Sequence, residues 1–260
     1  MQATYIAVPL APPSAATEDA AAPPRRPHAS NALPYLLAAL LLLVCLSSDL
    51  FLYQQLWLSH WRLLRHLVDS SAHGAVGACA WGLFLCFSHD KSVPSSGLSI
   101  VSLRRFVLRC LASGALASAL DIDHFIAAGA LSLRGATHLR GRPFGHSVTF
   151  VMAVVGVIWG ISRRAGATPS RCMRRASLVV IAWMSHQLRD AVRRGLWCWP
   201  LGSTPAIPYP LYLLLELALP FALARWIRVP QEDDQHKRHD HVLDIELGDP
   251  VAQRDRSVAS

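Results

Sequence analysis

Histidine and aspartate side chains, which can bind a divalent metal ion, recur at the borders of the apolar segments of this sequence. They occur near residue 70, at 121–124, at 146 and near 190. The members of this set are His73, Asp121, Asp123, His124, His146, His186 and Asp190. Neutral imidazoles and carboxylates are the usual ligands of zinc, and carboxylate-rich mixtures also suit manganese. The sequence therefore predicts a divalent metal ion, zinc or manganese, as cofactor.

A metal ion in such a set indicates hydrolytic chemistry. Water bound to the ion loses its proton near neutral pH, and a carboxylate that is not a ligand can act as general base. Within the set, Asp123 and His146 are the candidate catalytic residues. The sequence contains no Gly-x-Ser-x-Gly or His-Glu-x-x-His motif that would indicate another hydrolytic site.

Arginines flank the predicted metal site and indicate an anionic ligand. A guanidinium group binds phosphate or carboxylate through two parallel hydrogen bonds. The candidate anion-binding residues are Arg142, Arg189 and Arg194. The alternative is that they contact lipid phosphate as ordinary interfacial arginines. Because an apolar chain carries a net charge of +8, the expected partners are membrane lipids and a phospholipid or other anionic substrate, and not nucleic acid.

The elements that must position these side chains are predicted to be membrane helices. The chain is 52% hydrophobic and 16% charged, whereas soluble domains average about 25% charged residues. A spanning helix needs about 20 mostly apolar residues. Apolar segments lie at 33–58, 72–88, 106–120, 147–162, 176–190 and 207–227. The predicted fold class is all-α, a multi-pass transmembrane helical bundle of about six spans, with 125–133 as a short additional helix.

Composition divides the chain into three parts. Residues 1–30 are rich in Ala and Pro and are predicted to be a disordered N-terminal arm. Residues 31–229 form the predicted transmembrane helical domain, and 230–260 a disordered charged tail. The first apolar segment is long for a cleaved signal peptide, which is the alternative interpretation. Six spans place both termini on one membrane side, and the excess of Arg and Lys there predicts the cytosol.

Reversal of direction between successive spans predicts that the polar borders meet. The start of the second span, the end of the third, the start of the fourth and the end of the fifth lie on one membrane side. Imidazoles and carboxylates from His73 to Asp190 would therefore converge. The alternative is a structural network, because acids at helix ends and Asp–Arg pairs also stabilise bundles. Asp69 with Arg65 and Asp190 with Arg194 have the i, i+4 spacing of such pairs.

Three motifs resemble the transmembrane protein 267 family. They are Asp121-Ile-Asp123-His124, then Arg142-Pro-Phe-Gly-His146-Ser147, then the run that begins Ser185-His186-Gln-Leu-Arg-Asp190 and ends Trp199-Pro200-Leu-Gly202. The last motif is long and therefore specific. The resemblance covers residues 34–228 and implies a membrane location rather than a particular activity.

The same motifs are more remotely similar to the bacterial LexA-binding, inner-membrane-associated metal-dependent hydrolase family, which carries D-x-D-H, H-R-G-x-T-H-S and S-H-x-x-x-D. That resemblance implies metal-site roles for Asp121, Asp123, His124, His146, His186 and Asp190, and His73 is similar to an early family histidine. This chain has Gly141 and Gly145 where the second motif has His and Thr, and Pro143 where it has Gly. Loss of the first His implies weaker metal binding or a retired active site, and His138 lies at the wrong spacing to replace it.

Two classes of function follow from the sequence. The first is a membrane-embedded, metal-dependent hydrolase-like protein with a His/Asp site at one membrane face, acting on a phosphate-bearing lipid. The alternative is a non-catalytic membrane scaffold or assembly factor whose polar cluster is structural. A transporter ranks last, because the sequence shows no internal repeat and no paired interrupted spans.

Overall fold

The described part of the chain is almost entirely helical. The computed structural model describes residues 32–53, 62–88, 90, 92–93, 100–139 and 141–228. The helices are α1 (Ala32–Tyr53), α2 (Arg62–Phe87), α3 (Ile100–Ala119), α4 (Ile122–Ala128), α5 (Leu133–Thr137), α6 (Val148–Arg164), α7 (Pro169–Arg194) and α8 (Tyr209–Arg228). A 3-10 turn, Phe144–His146, precedes α6, and strands β1 (Trp197–Cys198) and β2 (Gly202–Ser203) form an antiparallel hairpin before α8.

The all-α prediction is confirmed, whereas the number of spans stays a prediction. Among the residues that the structure describes, three helical segments are long and apolar enough to cross a membrane: Ala32–Leu52, Leu63–Phe87 and Tyr209–Ile227. The other long helices coincide with the three remaining predicted spans but are shorter or more charged. Helix α6 has 17 residues, and α3 and α7 each contain several arginines.

The shorter predicted segments differ in detail from the structure. The single short helix expected at 125–133 is two helices, because Gly129 adopts φ +60° and ends α4 before α5 begins. The predicted arm at 1–30 and the tail at 230–260 lie outside the described residues.

Both ends of α7 are fixed by local sequence. At its start, the Thr168 hydroxyl accepts a hydrogen bond from the Arg171 N–H at 3.4 Å, and Pro169 occupies the first turn. At its end, Gly195 has φ +70°, and a Cβ there would overlap the Thr204 carbonyl. The helix therefore stops at Arg194 and turns into the hairpin.

Helix α2 packs against four other helices and forms the centre of the bundle. Its neighbours are α1, α3, α7 and α8. Buried apolar side chains such as Leu41 on α1, Phe84 on α2 and Ile181 on α7 form one continuous core. The outer faces are apolar too: Leu43 on α1 and Leu214 on α8 are each 61% exposed. An apolar exterior of this kind matches a lipid environment.

Helices α2 and α3 approach closely through small residues. A Cβ added to Gly114 would lie 2.6 Å from the Gly74 carbonyl oxygen, so neither helix tolerates a side chain at the crossing. The Ser118 hydroxyl donates to the Ser70 carbonyl at 2.7 Å, and the Ser113 hydroxyl donates to the Gly77 carbonyl at 3.0 Å. This crossing brings the start of α2 beside the end of α3.

Replacing Gly114 with valine is expected to lower the free energy of unfolding by about 1–3 kcal/mol, because the helices must separate. Gly160→Val on α6 is the matched control, since a Cβ at Gly160 meets nothing within 4 Å. The measurement is equilibrium unfolding of both variants in the same detergent. Equal destabilisation by the two substitutions would contradict the close crossing.

Candidate metal centre

The seven predicted metal-site residues lie together at one end of the bundle. They come from α2, from the junction between α3 and α4, from the 3-10 turn before α6, and from the last turns of α7. In order these residues are His73, Asp121, Asp123, His124, His146, His186 and Asp190. Three of them, His73, His146 and His186, are buried, at 8% exposure or less. The helix ends thus meet as the alternation of predicted spans implied.

Four side chains form the inner part of this cluster. The Nε2 atoms of His146 and His186 are 3.1 Å apart. Asp190 Oδ2 lies 3.6 Å from His146 Nε2 and 3.9 Å from His186 Nε2, and Asp121 Oδ1 lies 3.6 Å from His186 Nε2. A tetrahedral zinc ion with bonds of 2.0–2.1 Å has ligand atoms about 3.3–3.4 Å apart. The spacing therefore suits a small divalent cation.

Hydrogen bonds to Nδ1 of His146 and of His186 leave Nε2 as the nitrogen of each ring that can bind a metal ion. His186 Nδ1 donates to the Ala117 carbonyl at 3.0 Å, and His146 Nδ1 donates to Asp123 Oδ2 at 3.0 Å, because a carbonyl and a carboxylate can only accept. A ring with its single proton on Nδ1 has a lone pair on Nε2, so two such rings would face each other through lone pairs. Outward-facing N–H groups held in this way are the usual support for metal-binding histidines.

Asp123 lies behind the imidazoles of His124 and His146. Its Oδ1 is 3.0 Å from His124 Nδ1, although these two atoms do not form an aligned hydrogen bond. Burial opposes ionisation of Asp123, but the two imidazoles outweigh burial and lower its pKa to about 2. Both oxygens of Asp123 face Nδ1 atoms, which suits an orienting role, and the catalytic or ligand role of Asp123 stays a prediction.

Burial acts in opposite directions on the pKa values of Asp121 and His124, which neighbour Asp123. It raises the pKa of Asp121, and a cation beside this carboxylate would favour its ionised form. It also disfavours the imidazolium form of His124, but the Asp123 carboxylate overcomes burial and raises the pKa of His124.

A small, partly open pocket adjoins the cluster. His124, His146 and Asp190 are among the residues that line it. Two of the predicted anion-binding residues, Arg142 and Arg194, line it as well. Burial, and then the nearby positive charge of Arg194, lower the pKa of Arg142. Adjacent guanidinium groups of this kind are stabilised by an anion between them.

The third predicted anion-binding residue, Arg189, belongs to a separate buried network. It donates to Asp69 Oδ1 at 2.6 Å and to Asp49 Oδ1 at 2.9 Å, and the Tyr209 hydroxyl donates to Asp49 at 3.1 Å. Two carboxylates already occupy its guanidinium, so the candidate anion site consists of Arg142 and Arg194. Sequence reasoning missed Asp49, although a single acid within the apolar run of α1 was a signal.

A buried carboxylate, Asp90, lies at the opposite end of α2. Asp90 forms ion pairs with Arg109 at 2.8 Å and with Arg174, and it accepts hydrogen bonds from Ser92. These contacts join the end of α2 to α3 and α7, far from the metal-site cluster. Sequence reasoning missed this network too.

Proteins similar in sequence to this chain include members of one family from several vertebrates. A protein of Mus musculus called transmembrane protein 267 is 30% identical over 177 residues, which are 68% of this chain and 74% of the relative. The chain belongs to the transmembrane protein 267 family. The member from Danio rerio is 30% identical over 188 residues, or 68% of this chain and 72% of its own length. The Xenopus laevis member is 32% identical over 159 residues, or 60% of this chain and 66% of the relative.

Membership in the transmembrane protein 267 family, together with the apolar helices, makes this chain an integral membrane protein, as predicted. No protein-family model matches the chain. No solved structure matches it either. The remote resemblance to the LexA-binding hydrolases therefore stays a prediction from motifs, and chemistry must be inferred from the cluster itself.

Proposed function

We propose that this transmembrane protein 267 family member is a metal-dependent hydrolase that acts on a phosphate-bearing lipid at one membrane face. One observation carries the proposal: the Nε2 atoms of His146 and His186 face each other at 3.1 Å while each Nδ1 donates elsewhere. Two lone pairs at this distance repel unless a proton or metal cations accept them. The carboxylates of Asp121 and Asp190 beside them favour the divalent cation.

The cavity above the cluster suits a phosphate group on a lipid. Arg142 and Arg194 supply positive charge at its wall. Large apolar side chains on the neighbouring α4 region and hairpin are exposed, among them Ile126 at 75%, Leu131 at 95% and Leu201 at 91%. Such side chains at a membrane surface insert between headgroups. A lipid phosphate would therefore reach the arginines without leaving the bilayer.

The residues divide the work of hydrolysis by position. A bound zinc or manganese ion would supply a water of lowered pKa. Asp123 accepts from Nδ1 of His146 and the Ala117 carbonyl accepts from Nδ1 of His186, so that the two Nε2 atoms face each other. Arg142 also donates to the Gly195 carbonyl at 3.0 Å, which anchors the cavity wall to the end of α7. Hydrolysis would break the P–O bond to the lipid alcohol and form a P–O bond to the water oxygen, and a proton from the water would pass to the leaving alcohol oxygen.

The test is metal content and lipid hydrolysis of the purified full chain in detergent. After expression with zinc and manganese, the wild type is expected to retain stoichiometric metal and to release phosphate from phosphatidic acid in mixed vesicles. His146→Ala and His186→Ala are expected to lose both properties. His138→Ala is the control, because His138 is exposed and its Nδ1 bonds the Arg134 carbonyl.

Two results would decide against the proposal in different ways. A wild type without metal, despite both ions being supplied, would remove the metal site and the hydrolase together. Stoichiometric metal with no hydrolysis of phosphatidic acid or other phospholipids would leave a metal-binding protein and remove the enzyme.

The second candidate function is a non-catalytic membrane scaffold or assembly factor. The buried contacts of Arg189 with Asp49 and Asp69 favour it, because they show that polar clusters at this end also hold helices together. A scaffold predicts that Asp123→Asn lowers stability in detergent while added metal and chelators change nothing.

Gly145 provides a prediction specific to the metal site. A Cβ at this residue would lie 2.5 Å from Asp123 Oδ2, so Gly145→Ala must displace the carboxylate that orients His146. We expect zinc affinity to fall about 10-fold, the size of effect seen when support of a metal-binding histidine is lost. Gly141→Ala is the control, because a Cβ there meets nothing within 4 Å. Competition with a coloured chelator measures both affinities, and equal affinities would contradict the role of Asp123.

A further inference from the structure

The metal-site side chains divide into two adjacent groups of three, and we propose that the site binds two divalent cations. One group is His73, His186 and Asp190; the other is Asp121, His124 and His146. Within each group the ligand atoms all lie within 4.8 Å of one another. This inference rests on the proposed metal site and adds a second ion to it.

A single cation would leave two histidines unexplained. The inner four side chains already supply a full tetrahedral set, so His73 and His124 would have no role at a site with one ion. His73 is only 2% exposed, and its Nδ1 lacks a hydrogen-bond partner within the described ranges. Burying an imidazole with unmet polar atoms is unfavourable. A cation bound at Nε2 of His73, the nitrogen that faces Asp190, would offset part of this cost while Nδ1 stays without a partner.

The position of His73 is that of a ligand to a neighbouring ion. Its ring stacks on the His186 ring with centroids 3.6 Å apart. Its Nε2 lies 3.7 Å from Asp190 Oδ1, whereas Asp190 Oδ2 faces His146 and His186. Oδ1 of Asp190 thus faces His73 of its own group, while Oδ2 lies nearest to His146 of the other group, as expected for a carboxylate that bridges two cations.

His124 holds the corresponding position in the other group. Asp123 lies on the Nδ1 side of both His124 and His146, so Nε2 is the nitrogen that each ring has available for a cation. The two rings are nearly perpendicular, with centroids 4.7 Å apart. One carboxylate thus orients two imidazoles of the same group.

The separation of the groups fits two cations rather than two unrelated sites. His146 Nε2 and His186 Nε2, one from each group, are 3.1 Å apart, and Asp121 Oδ1 of one group is 3.6 Å from His186 Nε2 of the other. Paired cations in hydrolytic sites lie about 3.5–4 Å apart and hold the attacking and leaving oxygens together. Two dications beside two inner carboxylates keep excess positive charge, which favours a phosphate group as the anion that completes the site.

Manganese binding by the full chain in detergent tests the number of ions. The wild type is expected to bind two Mn²⁺ per chain, with an exchange-coupled electron paramagnetic resonance spectrum. His73→Asn and His124→Asn are each expected to bind one ion and to show the uncoupled six-line spectrum. His138→Asn, an exposed control, is expected to keep two coupled ions.

The wild-type result decides the inference even if a variant fails to fold. One ion per chain at saturating manganese, without exchange coupling, would overturn the second cation and leave the proposed metal site intact. No bound manganese and no bound zinc would overturn both. Retention of two coupled ions by His73→Asn and His124→Asn would also overturn the assignment of the groups.

Discussion

Replacing Arg189 with methionine is expected to destabilise the protein by about 3–5 kcal/mol, the effect of removing one partner from a buried ion pair. The Arg189 side chain is 2% exposed and bonds both Asp49 and Asp69. Methionine keeps much of the side-chain volume but leaves the two carboxylates without their cation. Denaturant unfolding in detergent measures the loss.

Arg193→Met is the control for this substitution. Its guanidinium is 45% exposed and lies 3.8 Å from Asp69 Oδ2, so its loss is expected to change stability by at most about 1 kcal/mol. The triple variant Arg189→Met, Asp49→Asn, Asp69→Asn is expected to regain part of the lost stability, because no charge is then left unpaired. Similar losses for Arg189→Met and Arg193→Met would contradict the buried network.

Asp123→Asn is expected to weaken zinc binding by about 10–100-fold while the protein remains folded. The amide keeps the size of the side chain but loses the charge that holds the Nδ1–H of His146 and orients His124. Isothermal titration of the detergent-solubilised protein with zinc measures the change.

Asp90→Asn is the matched control for Asp123→Asn. Like Asp123, Asp90 contacts two basic side chains, those of Arg109 and Arg174. It lies at the other end of α2, away from the metal-site cluster. It is expected to lower stability and to leave zinc affinity unchanged. A weaker zinc affinity in both variants, in proportion to their loss of stability, would show that Asp123 only supports the fold.

The convergence of the metal-site residues could be predicted from the sequence because it depends on direction alone. When successive spans run in opposite directions, the end of one span lies on the same side as the start of the next. The i, i+4 spacing of His186 and Asp190 then places both side chains on one face of α7. Helix direction alone therefore predicts that His73 and His146 lie at the same end of the bundle, without knowledge of loop conformations or side-chain rotamers.

The partners of individual side chains could not be predicted in the same way. Asp49 and Arg189 are 140 residues apart, and nothing in either segment indicates the other. The placement of Asp123 behind His146 depends on the turn before α6 and on the absence of a side chain at Gly145. These contacts are determined by how the helices and turns pack against one another, and residue spacing in the sequence does not carry that information.

The contact of Arg189 with Asp49 and Asp69 has a consequence for biosynthesis. Translation at about 5–20 residues per second separates the synthesis of Asp49 from that of Arg189, 140 residues later, by about 7–28 s. During that interval the nascent chain carries two acids without their basic partner.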